Sequence, residues 1–323
     1  MNPVIFNALF LALIAVVGTV VIIGDLARTK ISNVVLGGGF VAGLSLYVIA
    51  LAAGAVSVVS LGTVAVNTVC ALAVGYAFWA FNFWPAGDAK LFALLAFLLP
   101  LDSYRNGFLS LFPSLALLVN IFVCAYAYLI VRSFLYAVRR FFRWNPFVEN
   151  YTLLFQRFVF SVRKGLFRRG TIRVALRNAL LMTGVLILMR YGSGSDWSTE
   201  SVRVLFTGMV LWMAVSFSVR KYIADKETRT IPHEALEAGM SPVIALPEDG
   251  LFTKAFLRTI GPLRAEGFDE RQVGLVKDRA ISEHIPTLRV QRHTPFSPWI
   301  LIGASVTVLL GGSLLRFLER LSL

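Results

Sequence analysis

Cysteine, histidine and charge are all scarce in this chain, and each shortage closes off a class of function. The two cysteines, Cys70 and Cys124, stand in separate apolar runs with no CxxC, so neither a zinc knuckle nor a disulfide framework can be built from this chain alone. Both read as small packing residues. The three histidines, His233, His284 and His293, are too far apart for a metal-ligand pattern, and no metal is expected. No phosphate loop, HExxH or glycine-rich dinucleotide signature occurs, so no nucleotide cofactor is expected either. Only 15% of the 323 residues are charged against 57% hydrophobic, with a mean hydropathy of +0.73. So few charges cannot cover a soluble domain, which points to a polytopic membrane protein.

The apolar runs long enough to count as spans begin with residues 3–24, which lack a basic leader and a small-residue cleavage site and so read as a retained helix. Residues 34–55 and 61–83 follow, the latter closing on the aromatic cluster Phe78, Trp79, Phe81, Phe83 and Trp84, as expected near head groups. Residues 89–101 form a short fourth run and 108–131 a fifth. Two short runs, 175–189 and 204–217, and a last one, 298–315, bring the expectation to about eight transmembrane helices in an all-α membrane protein.

The net charge of +13 is concentrated. Residues 132–177 hold eleven Lys and Arg against one acid, Glu149, which marks a cytoplasmic loop close to anionic lipid rather than a nucleic-acid site, since no DNA- or RNA-reading motif accompanies it. Phe141, Phe142, Trp144, Phe155, Phe158 and Phe160 alternate with Arg there, the composition of helices lying in the interface. Alternation from that loop puts the start of the first helix outside. Residues 220–296 hold twelve basic and eleven acidic residues with several Pro and Gly, which predicts a small cytoplasmic α/β subdomain before the last helix. The expected organisation is a five-helix core at 1–131 carrying both functional acids, the basic loop at 132–174, two further spans at 175–219, the subdomain at 220–296 and a final helix and tail at 297–323.

Acids are rarest where the chain is most apolar. Asp25 and Asp88 are the only two in the first hundred residues, and the topology puts both at the cytoplasmic edge of the bilayer. Ionisable groups at that depth are expensive and default to function. Two carboxylates sharing a proton form an aspartic-protease dyad: the ionised member activates water while the protonated one hydrogen-bonds the scissile carbonyl. The alternative is that Asp88 is an N-cap and Asp25 a loop residue. Gly87 lets another backbone approach Asp88, Pro85 marks a break before the fourth run, and Lys90 either snorkels to the interface or tunes a carboxylate.

Asp25, five residues, then Ile31-Ser32-Asn33 resembles the Asp-x5-Ile-Pro-Asn pattern of prepilin and preflagellin peptidases, and Ala86-Gly87-Asp88-Ala89-Lys90-Leu91 is similar to their second signature, Gly-x-Gly-Asp-x-Lys-Leu. Ser32 stands where that family has Pro, and Pro85 where it has its first Gly. The resemblance covers residues 1–131, with a looser one at 289–298. It implies a GxGD-type aspartic endopeptidase of a prokaryotic cytoplasmic membrane with catalytic Asp25 and Asp88, supported by Gly87, Lys90 and Asn33. Its substrates would be prepilin-like or preflagellin-like proteins cut beside their hydrophobic segment, with no metal or nucleotide cofactor. The tetracysteine segment of the methylating members is absent, so methyl transfer is not implied. Two rivals use the same residues: a proton-coupled transporter with Asp25 and Asp88 as relay, and a non-catalytic peptidase-fold scaffold for pilus or secretion machinery.

Overall fold

The computed structural model describes residues 3–28, 30–81, 84–143, 228–242, 254–261, 267–292 and 295–321. The expected spans at 175–189 and 204–217, and most of the basic aromatic loop, lie outside these residues. The chain divides into two compact units, Met1–Ala125 with Ile223–Leu323, and Tyr126–Tyr222.

Most of the described chain is helical. Helices α1 (Pro3–Arg28), α2 (Asn33–Ala52) and α3 (Val58–Ala80) are long and apolar enough to cross a membrane. A chain in hydrocarbon must satisfy every backbone polar group internally, so apolar runs of this length become helices. α2 stops two residues before Gly54, whose φ of +67° suits glycine, and α3 is capped by Ser57, whose hydroxyl accepts from the Ser60 amide.

α4 (Ala86–Leu98) is the short fourth run, and it is the centre of the bundle. From Asp88 to Leu98 every residue except Lys90 is buried, and α4 packs against α1, α2, α3 and the last apolar helix, α8 (Ser297–Leu310). The last carbonyls of a helix need partners from elsewhere. Tyr47 from α2 donates to the Phe97 carbonyl at 2.9 Å, and Asn67 from α3 donates to that of Ala96 at 3.0 Å. Asn67 also accepts from the amide and hydroxyl of Ser114, tying in the start of α5 (Leu115–Arg143). The fifth run is therefore helical from Leu115 rather than from residue 108, since a 3₁₀ turn (Leu101–Tyr104) and Pro113 precede it.

α8 begins with Pro298 in its first turn and ends at Gly311, left-handed at φ +61°. It crosses α5 at Gly303, where a Cβ would meet the Ile121 backbone. At its far end the Asn106 amide donates to Gly311, while Asn120 donates to Thr307 and Gly312 and accepts from the first amide of α9 (Leu314–Leu321). Asn7 near the start of α1 reaches Asp102, just past the end of α4. One end of the bundle thus holds the start of α1 with the ends of α4 and α8. The other holds the end of α1 with the starts of α2, α4 and α8.

Residues 228–292 contain a three-stranded antiparallel sheet of order β1-β3-β2, with β1 (Thr228–Pro232), β2 (Met240–Pro242) and β3 (Thr287–Arg292). Helices α6 (Lys254–Ile260) and α7 (Glu270–Ser282) supply the remaining regular structure. Asp269 and Gln272 form a reciprocal capping box at the start of α7. Leu236, Phe256, Phe268, Val276, Leu288 and Val290 make its core.

Candidate active site

Both acids of the apolar region are buried, Asp25 at 3% exposure and Asp88 at 2%. Neither sits where a purely terminal role would put it. Asp25 lies inside α1, which continues to Arg28, rather than in the connection that follows. Asp88 is not the N-cap of α4. That position belongs to Pro85, and Asp88 occupies the first turn three residues on, where a helix favours negative charge.

The two motif segments meet. A Cβ on Gly87 would lie 3.0 Å from Cβ of Ile31, so glycine there allows the start of α4 to pack on the connection after Asp25. Three residues on, the Lys90 ammonium donates to the side-chain carbonyl of Asn33 at 2.9 Å. The space at Gly87 is taken up by this chain's own Ile31, and Lys90 ties α4 to the first residue of α2.

Both positions that depart from the family pattern have ordinary backbones. Ser32 caps α2 with φ −70° and ψ 124°, the φ that a proline ring imposes. Pro85 has φ −59° and ψ 152°, and its carbonyl accepts from the Ala89 amide to open α4. No left-handed conformation is needed at 85, so nothing in the backbone there calls for glycine.

Residues 296 and 297, within the loosely similar stretch 289–298, make contacts to this region that no motif signals. The Ser297 hydroxyl donates to Oδ2 of Asp25 at 2.6 Å, and the Ser297 amide donates to the same oxygen at 3.3 Å. Ser297 is wholly buried at the first turn of α8, so its amide is one of the donors a helix start leaves without an internal partner. Its neighbour Phe296 lies 5.7 Å from Trp84 and 6.5 Å from Phe122, centroid to centroid. Trp84 itself stacks on Phe122 at 5.5 Å and 20°, and meets Phe78 and Phe92 edge-on.

At 3% exposure Trp84 belongs to the interior of the bundle, not to an interfacial belt; the aromatic cluster expected at the head groups is divided, with Phe81 facing outward. A serine before a proline at the head of an apolar run signals a helix start, but nothing local announces a carboxylate 272 residues away. That is why Ser297 escapes a reading by motif.

Among the described residues no group of three or more His, Cys, Asp or Glu could hold a metal. No family model, no curated protein and no solved structure matches this chain.

Proposed function

We propose that the chain is a membrane-embedded aspartic endopeptidase that removes the basic leader from prepilin-like or preflagellin-like proteins at the cytoplasmic face. One observation carries this reading. The two segments resembling the peptidase signatures are far apart in sequence yet pack together through Ile31 with Gly87 and Asn33 with Lys90, beside two buried acids. A bilayer protein keeps buried carboxylates at a cost, and a reaction needing a general base and a general acid is a reason to keep two. In this mechanism the ionised aspartate takes a proton from water, the water attacks the scissile carbonyl, and the protonated aspartate donates to that carbonyl oxygen. The resulting gem-diol then collapses: the C–N bond breaks, the first aspartate gives its proton to the leaving amine, and the second aspartate takes one back from a diol hydroxyl.

In the full reading the chain crosses the bilayer about eight times, the start of α1 lies outside and the acids face the cytoplasm of a prokaryote. The basic excess at 132–177 supports that orientation and a contact with anionic lipid. The test is to co-express the protein with a prepilin-like substrate and follow loss of the leader. Asp25→Asn and Asp88→Asn should each accumulate in the membrane and leave the substrate uncut. Normal processing by both variants overturns the proposal.

A second reading has its own support. The two hydrogen bonds from Ser297 to Asp25 are also those of an acid that merely caps α8, as in a non-catalytic scaffold for pilus or secretion machinery. Assembly that survives loss of both acids, with no cleavage by the unaltered protein, selects the scaffold.

A further inference from the structure

We infer that Ser297 is the positioning residue of Asp25, and that it assigns different roles to the two carboxylate oxygens. The inference rests on the endopeptidase reading and deepens it. Phe296 holds the N-cap position before α8 and has no side-chain oxygen to offer its first amides. Ser297 directs its hydroxyl proton at Oδ2 of Asp25, 2.6 Å away, and its amide points at the same atom. Two donors on one oxygen fix the carboxyl plane. They also make Oδ2 an acceptor, which leaves Oδ1 as the oxygen to hold a proton arriving on Asp25.

The neighbours of Ser297 keep it from swinging. On one side Phe296 is held in the aromatic group of Trp84 and Phe122, and on the other Pro298 has its φ locked by the ring. Trp84 lies two residues before α4, the helix that carries Asp88 in its first turn. One pair of residues therefore references Asp25 to the same aromatic group from which Asp88's helix departs. General acid–base chemistry depends on such alignment, because a displacement of about 1 Å can lower a rate about 100-fold.

The experiment uses the full chain in liposomes, with Ser297→Ala, Ser297→Thr and unaltered protein carrying ¹³C-labelled aspartate carboxyls. Infrared difference spectra assign the Asp25 band as the one lost in Asp25→Asn. That band should shift in Ser297→Ala and return in Ser297→Thr, which keeps the donor. On a prepilin-like substrate Ser297→Ala should lower kcat about 10- to 100-fold, the range for losing a hydrogen bond to a charged group, with KM held within about twofold. Should Ser297→Ala fail to accumulate, Ser297→Cys, which keeps the size and weakens the donor, is read the same way.

An unmoved band overturns the inference, and so does a shifted band with unchanged kcat. A fall in kcat that Ser297→Thr does not restore also overturns it, as the loss is then one of packing. If Asp25→Asn still cleaves, the endopeptidase reading fails separately, while the infrared result continues to decide whether Ser297 orders Asp25.

Discussion

Lys90 and Asn33 are 57 residues apart in sequence, and their side chains are joined at 2.9 Å. The bond links the first turn of α2 to the second turn of the helix that carries Asp88. It is exposed, so it is a locating contact and not a large source of stability. In a double-mutant cycle, Lys90→Ala and Asn33→Ala should show a coupling of about 0.5–1.5 kcal/mol in unfolding free energy, the usual net worth of such a bond. Strictly additive losses would show that the two residues do not hold the segments together.

If Asp25 and Asp88 form a working pair, thiols in their places should be bridged. In a background with Cys70 and Cys124 replaced by Ala, Asp25→Cys with Asp88→Cys should be joined by a short bifunctional thiol reagent. Asp102→Cys, beyond the opposite end of α4, should not be joined to Asp25→Cys. Failure of the first pair under conditions that label both thiols singly would separate the two acids.

The backbone at Ser32 makes a prediction about a residue the chain does not have. With φ −70°, and with no hydrogen bond donated by its amide among the described residues, position 32 accepts proline. Ser32→Pro should stabilise the protein by about 0.4–1 kcal/mol, through loss of freedom in the unfolded chain, and should leave cleavage intact. Thermal unfolding in detergent checks the first part. A marked destabilisation would mean that the connection after Asp25 needs a different path.

Trp84 should behave as a core residue. Trp84→Ala removes its stacking with Phe122 and its contacts with Phe78, Phe92 and Phe296, for an expected loss of about 3–5 kcal/mol. Trp84→Phe should recover much of this. A surface residue of an interfacial belt would change stability far less, and equal stability of Trp84→Ala and the unaltered protein would refute the internal assignment.

At the far end, Asn120→Ala should cost about 1–3 kcal/mol by leaving the Gly312 carbonyl and the Leu314 amide without their partner. Because this network lies at the opposite end of α8 from Ser297, the KM for substrate should be unchanged. A large change in KM with normal stability would connect the two ends of the bundle in a way the contacts do not.

Much of the bundle is legible in the residues. α1, α2 and α3 fall within a few positions of the apolar runs because hydrocarbon imposes one solution on such runs. Asp25 and Asp88 stand out because carboxylates are rare there. Three things are not legible. The burial of α4 depends on which helices surround it, and a run that is apolar on all sides reads alike in lipid and in a protein core. The partition of the aromatic cluster turns on Trp84 finding Phe122 and Phe296, residues far away in the chain. The serine that holds Asp25 is conspicuous only once α1 and α8 are side by side.

The position of α4 has a last consequence. A helix of 13 residues rises only about 20 Å, well short of the roughly 30 Å of a bilayer's hydrocarbon. A lipid-facing helix would have to meet that mismatch by thinning the membrane around it. From Asp88 to Leu98 α4 is instead solvated by protein at every position but Lys90, and its ends are met by Pro85 and by the Tyr47 and Asn67 side chains. Bilayer thickness therefore acts on α1, α2 and α3, which can tilt, while the element bearing Asp88 is insulated from it. A site built on such an element should keep its geometry across membranes of quite different lipid composition.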